Sequence, residues 1–367
     1  MNFGGEIVDT VKSYKCPCCS DALVFDTETQ ILHCESCGNE FPFETISELE
    51  GADEGASKPS KYDWESYEER SFEGQEYNFS AFSCSFCGAE ITGDSSLGAT
   101  VCPYCGNNSV VKKQFEGSLC PDYIIPFKVD KKAAVKAFED NFATAPFLPD
   151  EFRDKKKIQE MLGVYVPFWM FDCDCNAAIT YDAQRTTLWS DTNYDYTKTD
   201  YFRLIRKGSV GFENIPADGS SKADDAHMES VGPYDYSEAM EFKPEYLSGF
   251  YADRYDVSSK ECIDRANERV KSSTVEAFGD TTDRYSLVIP QNTSIDFTEG
   301  KIRYALLPVW MLNIKYNGKN YHFSVNGQTG KVVGEYPTDE GKKKKYFAKL
   351  LAIGYAVSAA IALLLLL

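Results

Sequence analysis

Histidine is scarce in this chain, and the common catalytic signatures are absent. Only His33, His227 and His322 occur in 367 residues, with no His-Glu-x-x-His and no Gly-x-Ser-x-Gly. Metalloprotease and nucleophile-elbow chemistry therefore have no motif to stand on. The glycine-lysine pairs Gly300-Lys301, Gly318-Lys319, Gly330-Lys331 and Gly341-Lys342 do not complete a phosphate-cradling loop, so neither ATP hydrolysis nor a helicase motor is expected. Basic residues are in deficit, 38 against 57 acidic ones, for a formal charge of −19. Affinity for DNA rests on clustered Lys and Arg that release counterions; Lys112-Lys113 is the only basic pair near the cysteine motifs. Nucleic acid is a poor partner on these grounds, and the chain reads as a non-enzyme. Met1-Asn-Phe-Gly-Gly-Glu has neither a basic start nor an apolar core, so an export signal is not expected.

Cysteine is abundant. Eight of thirteen fall into two copies of one pattern, Cys16, Cys19, Cys34 and Cys37, then Cys84, Cys87, Cys102 and Cys105, with fourteen residues between the pairs of each copy. Each CxxC turn aims two thiolates at one point, and a hairpin between the pairs completes a soft tetrahedron, so two zinc ribbons holding two structural Zn2+ are predicted. Four thiolates close the coordination sphere, whereas a catalytic zinc keeps a position open. Gly38, Gly88 and Gly106 follow the last cysteine of a knuckle, where backbone freedom is needed. Cys18 competes off-register within the first knuckle, and His33 sits beside Cys34; neither is needed to complete a quartet. Paired thiols of this kind persist in a reducing compartment.

The C-terminus is an uncharged run, Leu350 to Leu367, preceded by Lys342 to Lys345 and Lys349. These 18 residues, interrupted by nothing polar except Ser358, are enough to span a membrane, and the lysines would mark the N-terminal side as cytoplasmic. A single-pass cell-membrane protein with its N-terminal domains in the cytoplasm is predicted, a buried core helix being the alternative.

Between these ends the class reads as α+β. The predicted order is zinc ribbon 1 at 1–43, an acidic linker at 44–80, zinc ribbon 2 at 81–118, one α+β module at 119–215, an acidic connecting loop at 216–244, a second module at 245–337, a basic juxtamembrane segment at 338–349 and a transmembrane helix at 350–367. Within the linker, Tyr62, Trp64, Tyr67 and Phe72 are candidates to dock on a folded neighbour. The modules rest on a repeat, Val166-Pro-Phe-Trp169-Met-Phe171 and Leu307-Pro-Val-Trp310-Met-Leu312. Each copy follows a helix candidate, Lys131 to Phe142 or Lys260 to Phe278, and each is predicted to enter an antiparallel sheet that buries its tryptophan. Asn317-Gly318 reads as a two-residue hairpin turn. In Asp172-Cys-Asp-Cys175, strand alternation sends the two acids one way and the two thiols the other, which accounts for them without metal. His227 reads as a solvated loop residue, and Asp224, Asp225 and Glu229 beside it lack calcium-loop spacing.

The phrases FSCSFCGAEITGDSSLGATVCPYCGN, IIPFKVDKKAAVKAF, LGVYVPFWMFDCD, FKPEYLSGFYADRYDV and YALLPVWMLNIKYNGKNYHFSVNGQTGKVVGEYP resemble the bacterial TFIIB-type zinc-ribbon proteins of Firmicutes. Members of that family are often labelled primosomal or replication-restart helicase-like, and some are associated with phage-shock and SPFH-type membrane-stress systems. The resemblance implies an adaptor, possessing zinc and protein partners but no catalytic residue. The rival reading is a membrane-tethered nucleic-acid-binding ribbon protein of replication or transcription.

Overall fold

Residues 14–19, 21–67, 79–94, 101–108, 110–113, 120–143, 145–222 and 224–365 are described by the computed structural model. They form two compact units, each assembled from separate stretches of chain. The first comprises Met1–Glu65, Asp172–Glu213 and Arg265–Lys301; the second comprises Ser66–Phe171, Asn214–Asp264 and Ile302–Leu367. Three long strands, Leu162–Ser190, Asp195–Asp218 and Leu287–Tyr316, contribute residues to both.

In the second unit the sheet is mixed. Tyr123–Ile124 runs parallel to the Leu287–Tyr316 strand, with Tyr123 opposite Ala305, and Tyr251–Asp253 runs parallel to the Leu162–Ser190 strand, with Tyr251 opposite Val164. Antiparallel pairs flank them, Met240–Glu241 with Tyr123–Ile124 and Glu90–Asp94 with Tyr251–Asp253. Asn317 and Gly318, at φ 49° and 76°, turn the Leu287–Tyr316 strand back into Lys319–Asn326, the hairpin turn that the sequence signalled. The predicted antiparallel sheet is therefore corrected: each short strand leads into a helix, Lys131–Ala143 or Ser259–Gly279, and pairs in parallel with the long strand of the other copy rather than with the one that its own helix precedes.

The repeat is real at the level of hydrogen bonds, but its halves are interlaced. Trp169 donates Nε1–H to the Val257 carbonyl at 2.9 Å, and Trp310 donates to the Val129 carbonyl at 2.8 Å. Each acceptor lies two residues before a helix, Ser259–Gly279 in the first case and Lys131–Ala143 in the second. The backbone repeats the correspondence. Gly219 N–H donates to Pro167 O at 3.0 Å and Gly327 N–H to Pro308 O at 2.9 Å, while the two glycine carbonyls accept from Asp256 and Val257, and from Lys128 and Val129. A Cβ on Gly327 would stand 2.6 Å from the Phe127 ring, so that turn needs glycine for close approach, while one on Gly219 would make a tight contact, 3.3 Å from Pro167 O. Each Pro-x-Trp strand thus anchors the helix that precedes the other copy. The predicted modules at 119–215 and 245–337 exist as repeats of pattern but do not pack as consecutive bodies.

Burial follows this exchange. Ala134, Val135, Phe138 and Phe142 present the apolar stripe of helix Lys131–Ala143 to Trp310, Leu312 and Phe323 of the later hairpin. In the first unit, Val275 and Phe278 of the later helix pack with Ile179, Tyr181 and Leu204 of the earlier hairpin. Both tryptophans are buried, Trp169 at 1% and Trp310 at 6% exposure, as the repeat implied.

The two ribbons are placed differently. The first has a three-stranded sheet of its own, Leu23–Asp26, Ile31–Cys34 and Glu40–Pro42. In the second, strand Glu90–Asp94 pairs with Tyr251–Asp253, so that ribbon extends the sheet of its unit. The segment expected as a linker holds helix Phe43–Ala56, with Ile46 and Ala56 buried, and strand Lys61–Trp64. Its aromatics do dock. Tyr62 and Trp64 meet the Phe297 ring in the first unit, and Tyr67 meets Trp169 in the second. Phe72 lies outside the described residues.

The membrane span is a further correction. The C-terminal helix runs Glu340–Leu365, and among the described residues no helix is long and apolar enough to cross a membrane. Its opening carries Lys342 to Lys345 and Lys349, so the uncharged part of the helix, residues 350–365, is shorter than the about 20 residues that a span requires. Lys342 instead ties the helix to the second unit, donating Nζ to Leu148 O at 2.7 Å and to Asp150 at 2.6 Å, while Tyr346 packs on Phe147. The predicted single-pass topology, with the N-terminal domains assigned to the cytoplasm, loses its basis.

Candidate metal centres and a neighbouring cavity

Each cysteine quartet is assembled by two copies of one knuckle. In the second ribbon, Gly88 N–H donates to Cys84 O and Gly106 N–H to Cys102 O, both at 2.9 Å, while Cys84 and Cys102 donate their own N–H groups to Ala89 O and Asn107 O. In the first, Gly38 N–H donates to Cys34 O at 2.8 Å. Gly38, Gly88 and Gly106 sit at φ 71°, 73° and 64°, the left-handed region that follows from turning the chain sharply after the thiol. The knuckles bring Cys16, Cys19, Cys34 and Cys37 together, and likewise Cys84, Cys87, Cys102 and Cys105, with all sulfurs of a quartet within 4.8 Å of one another.

The spacing fits a tetrahedral soft ion. Four sulfurs at about 2.3 Å from a central metal stand roughly 3.8 Å apart. The sulfur separations are 3.5 Å for Cys16 and Cys37, 3.4 Å for Cys19 and Cys34, 3.7 Å for Cys84 and Cys105, and 3.6 Å for Cys87 and Cys102. Thiolate formation is assisted locally: the backbone N–H of Asn39 holds the Cys37 thiol down, to about 6, and the Asn39 side chain also donates to that sulfur at 3.2 Å. Two quartets able to hold two structural metal ions are thus present at the residues the spacing named. Cys18 is exposed and outside the quartet, its backbone N–H donating to Cys16 Sγ at 3.4 Å, and His33 stays in its strand. Cys173 and Cys175 are buried while Asp174 is exposed, so the Asp172–Cys175 alternation holds and forms no metal group among the described residues.

Beneath the second ribbon lies a buried acid. Asp253 accepts from the Tyr104 hydroxyl, from Ser220 Oγ at 2.7 Å and from Arg254 N–H at 2.9 Å. Burial pushes its carboxyl up to about 7 despite these donors. Tyr104 belongs to the knuckle itself, between Cys102 and Cys105, so this cluster fastens the metal centre to strand Tyr251–Asp253.

Pro103 and Tyr104 also form one wall of a cavity of 750 Å³ within the second unit. Opposite stand His227, on the short helix Asp225–Val231, and His322, on the Lys319–Asn326 strand. His227 is half-buried, which corrects its expected place in a solvated loop; its Nε2 meets Ser324 Oγ at 2.9 Å. Burial lowers both imidazoles, with His322 further disfavouring charge on His227, so both are neutral at pH 7. The helix is held from both ends. Asp224 caps its start by accepting from His227 N–H at 2.9 Å, and Asn326 Nδ2 and Lys331 Nζ donate to Val231 O and Ser230 O at its finish, at 3.0 and 2.8 Å. Asp224 thus has a structural task rather than the cation role weighed for it with Asp225 and Glu229. Nothing in the sequence spacing joins His227 to His322; the capped helix and the Asn317-Gly318 hairpin do.

The chain is 30% identical over 336 residues to the uncharacterized protein YdjG of Bacillus subtilis (strain 168), covering 92% of this chain and 93% of that one. It belongs to the same family as that protein. No protein-family model matches the chain, and no solved structure matches it.

Proposed function

We propose that this protein is a zinc-ribbon adaptor that works through contacts with other proteins rather than by catalysis. Zinc suits both quartets, because four thiolates in a tetrahedron are the donor set of structural zinc and leave no position for water or substrate. When bound, the ions supply folding energy to the ribbons; Cys16, Cys19, Cys34 and Cys37 would hold one and Cys84, Cys87, Cys102 and Cys105 the other.

The observation that carries the adaptor reading is the tip of the earlier hairpin, in the first unit. Leu188, Tyr194 and Tyr201 are 72%, 68% and 64% exposed, and Trp189 stacks on Tyr196 at 5.3 Å with the rings 9° from parallel. Exposed aromatic rings gathered at one hairpin favour a protein contact, because rigid rings bury much area at little entropic cost. The resemblance to zinc-ribbon proteins of phage-shock systems makes proteins of such systems the first candidates. A photo-crosslinking residue at Leu188, introduced in the native host, is expected to give discrete protein adducts that Trp189→Asp abolishes. Adducts to nucleic acid, or none, overturn the reading.

A further inference from the structure

The first quartet is more open than the second, and it has a sulfur to spare. Cys16 and Cys34 are buried but Cys19 and Cys37 are exposed, whereas Cys87 and Cys105 of the second quartet are half-buried and Cys84 and Cys102 buried. An oxidant reaches the sulfurs that meet solvent, since cysteine oxidation follows thiolate character and access. The spare sulfur is Cys18. The third position of the four knuckles holds Cys18, Ser36, Phe86 and Tyr104 in turn, so a fifth thiol accompanies the first quartet alone. Tyr104 is buried and bonded to Asp253, but Cys18 is exposed. It stands against the site. Its N–H donates to Cys16 Sγ at 3.4 Å, that sulfur lies 3.5 Å from Cys37 Sγ, and the Cys18 side chain is in electrostatic contact with Cys16, Cys37 and Cys34. With four sulfurs committed to a metal, Cys18 is the one whose lone pairs remain available for reaction.

We propose that Cys37 and Cys18 form a peroxide-responsive pair, a role that rests on both quartets holding zinc. The Cys37 sulfur attacks hydrogen peroxide: an S–O bond forms, the O–O bond breaks and hydroxide leaves, giving the sulfenic acid. The Cys18 thiol then attacks that sulfur; an S–S bond forms, the S–O bond breaks, and the thiol proton departs with the oxygen as water. Two electrons pass from the two cysteines to the peroxide. The first quartet is left with three thiolates and gives up its metal, while the second, with neither exposed sulfurs nor a fifth thiol, keeps its own. A thiol reductant reverses the bond, so Cys18 also spares Cys37 the irreversible step to sulfinic acid.

The test uses the full chain purified with zinc and treated with a small excess of hydrogen peroxide, with zinc followed by a chromogenic chelator and disulfides by peptide mapping. One zinc ion is expected to leave at least about tenfold faster than the other, in step with a disulfide between Cys18 and Cys37, while Cys84, Cys87, Cys102 and Cys105 stay reduced. Dithiothreitol and added zinc then restore the count. Cys18→Ser leaves both quartets whole; it is expected to hold two zinc ions and to recover at least about threefold less of the lost one after dithiothreitol, its Cys37 having gone on to sulfinic acid. A count below two before peroxide overturns the zinc reading and the proposal with it. Release of both ions together, a first disulfide that excludes Cys18, loss of zinc from Cys18→Ser without peroxide, or undiminished recovery in that variant overturns the proposal alone.

Discussion

Asp253 shows what a single buried residue contributes to the pH behaviour of this protein. Its carboxyl titrates near 7 in the folded chain, against an ordinary value near 3.8. Between those two pH values the folded state binds more protons than the unfolded state, so stability falls as pH rises from about 4 to 7 and the cost is complete above it. That cost is on the order of 4 kcal/mol at most, from about three pH units at 1.36 kcal/mol each. Urea midpoints are expected to fall for wild type relative to Asp253→Asn as pH rises through this window, at fixed zinc; parallel curves would show that the acid is not buried as described. Loss of metal in acid affects both proteins and cancels in the difference. Trp169 and Trp310 allow a paired experiment. Truncating either to alanine removes a buried indole and one hydrogen bond, expected to cost about 3–5 kcal/mol in each case. Similar losses in denaturant unfolding would support their equivalence, and a loss below about 1 kcal/mol in either would refute it. The metal ligands were legible in the sequence because CxxC pairs are local and their geometry is fixed within four residues. His227 and His322 were not, since their meeting depends on Asn326 and Lys331 clamping a helix from nearly one hundred residues away.

At the scale of elements, the two ribbons have different dependents. The first keeps its sheet to itself, whereas Glu90–Asp94 of the second lies beside Tyr251–Asp253, and Tyr104 is bonded to Asp253. Cys34→Ser is therefore expected to release one of two zinc ions with little change at Trp169. Cys102→Ser is expected to release the other and to loosen the second unit as well, lowering the thermal midpoint more. Elemental analysis gives the count and near-ultraviolet dichroism the packing; equal thermal effects of the two changes would contradict the unequal attachment. The helix at Phe43–Ala56 was missed because its composition is acidic and glycine-bearing, and the burial of Ile46 and Ala56 that favours it is a tertiary effect. The C-terminal run misled differently. Hydropathy counted its residues, but Lys342 commits the start of that helix to Asp150 and Leu148.

For the molecule as a whole, the charge of −19 makes a direct forecast. A mobility-shift assay with duplex DNA at 50 mM and 200 mM salt should find no retained complex at the higher value; retention there would favour the nucleic-acid reading. The repeat was readable from Pro167-Phe-Trp169 and Pro308-Val-Trp310, but its wiring was not, because local pattern says which strand follows which helix and not which strand a helix will choose. That wiring has a consequence for how the chain comes apart. Since the Trp310 strand holds the Lys131–Ala143 helix and the Trp169 strand holds the Ser259–Gly279 helix, a cut between Lys222 and Ala223 separates two polypeptides that each carry half of the other's core. Expressed alone, residues 1–222 and 223–367 should aggregate or remain unfolded; expressed together, they should copurify as a stoichiometric pair, two pieces of broken pottery whose fracture edges fit only each other.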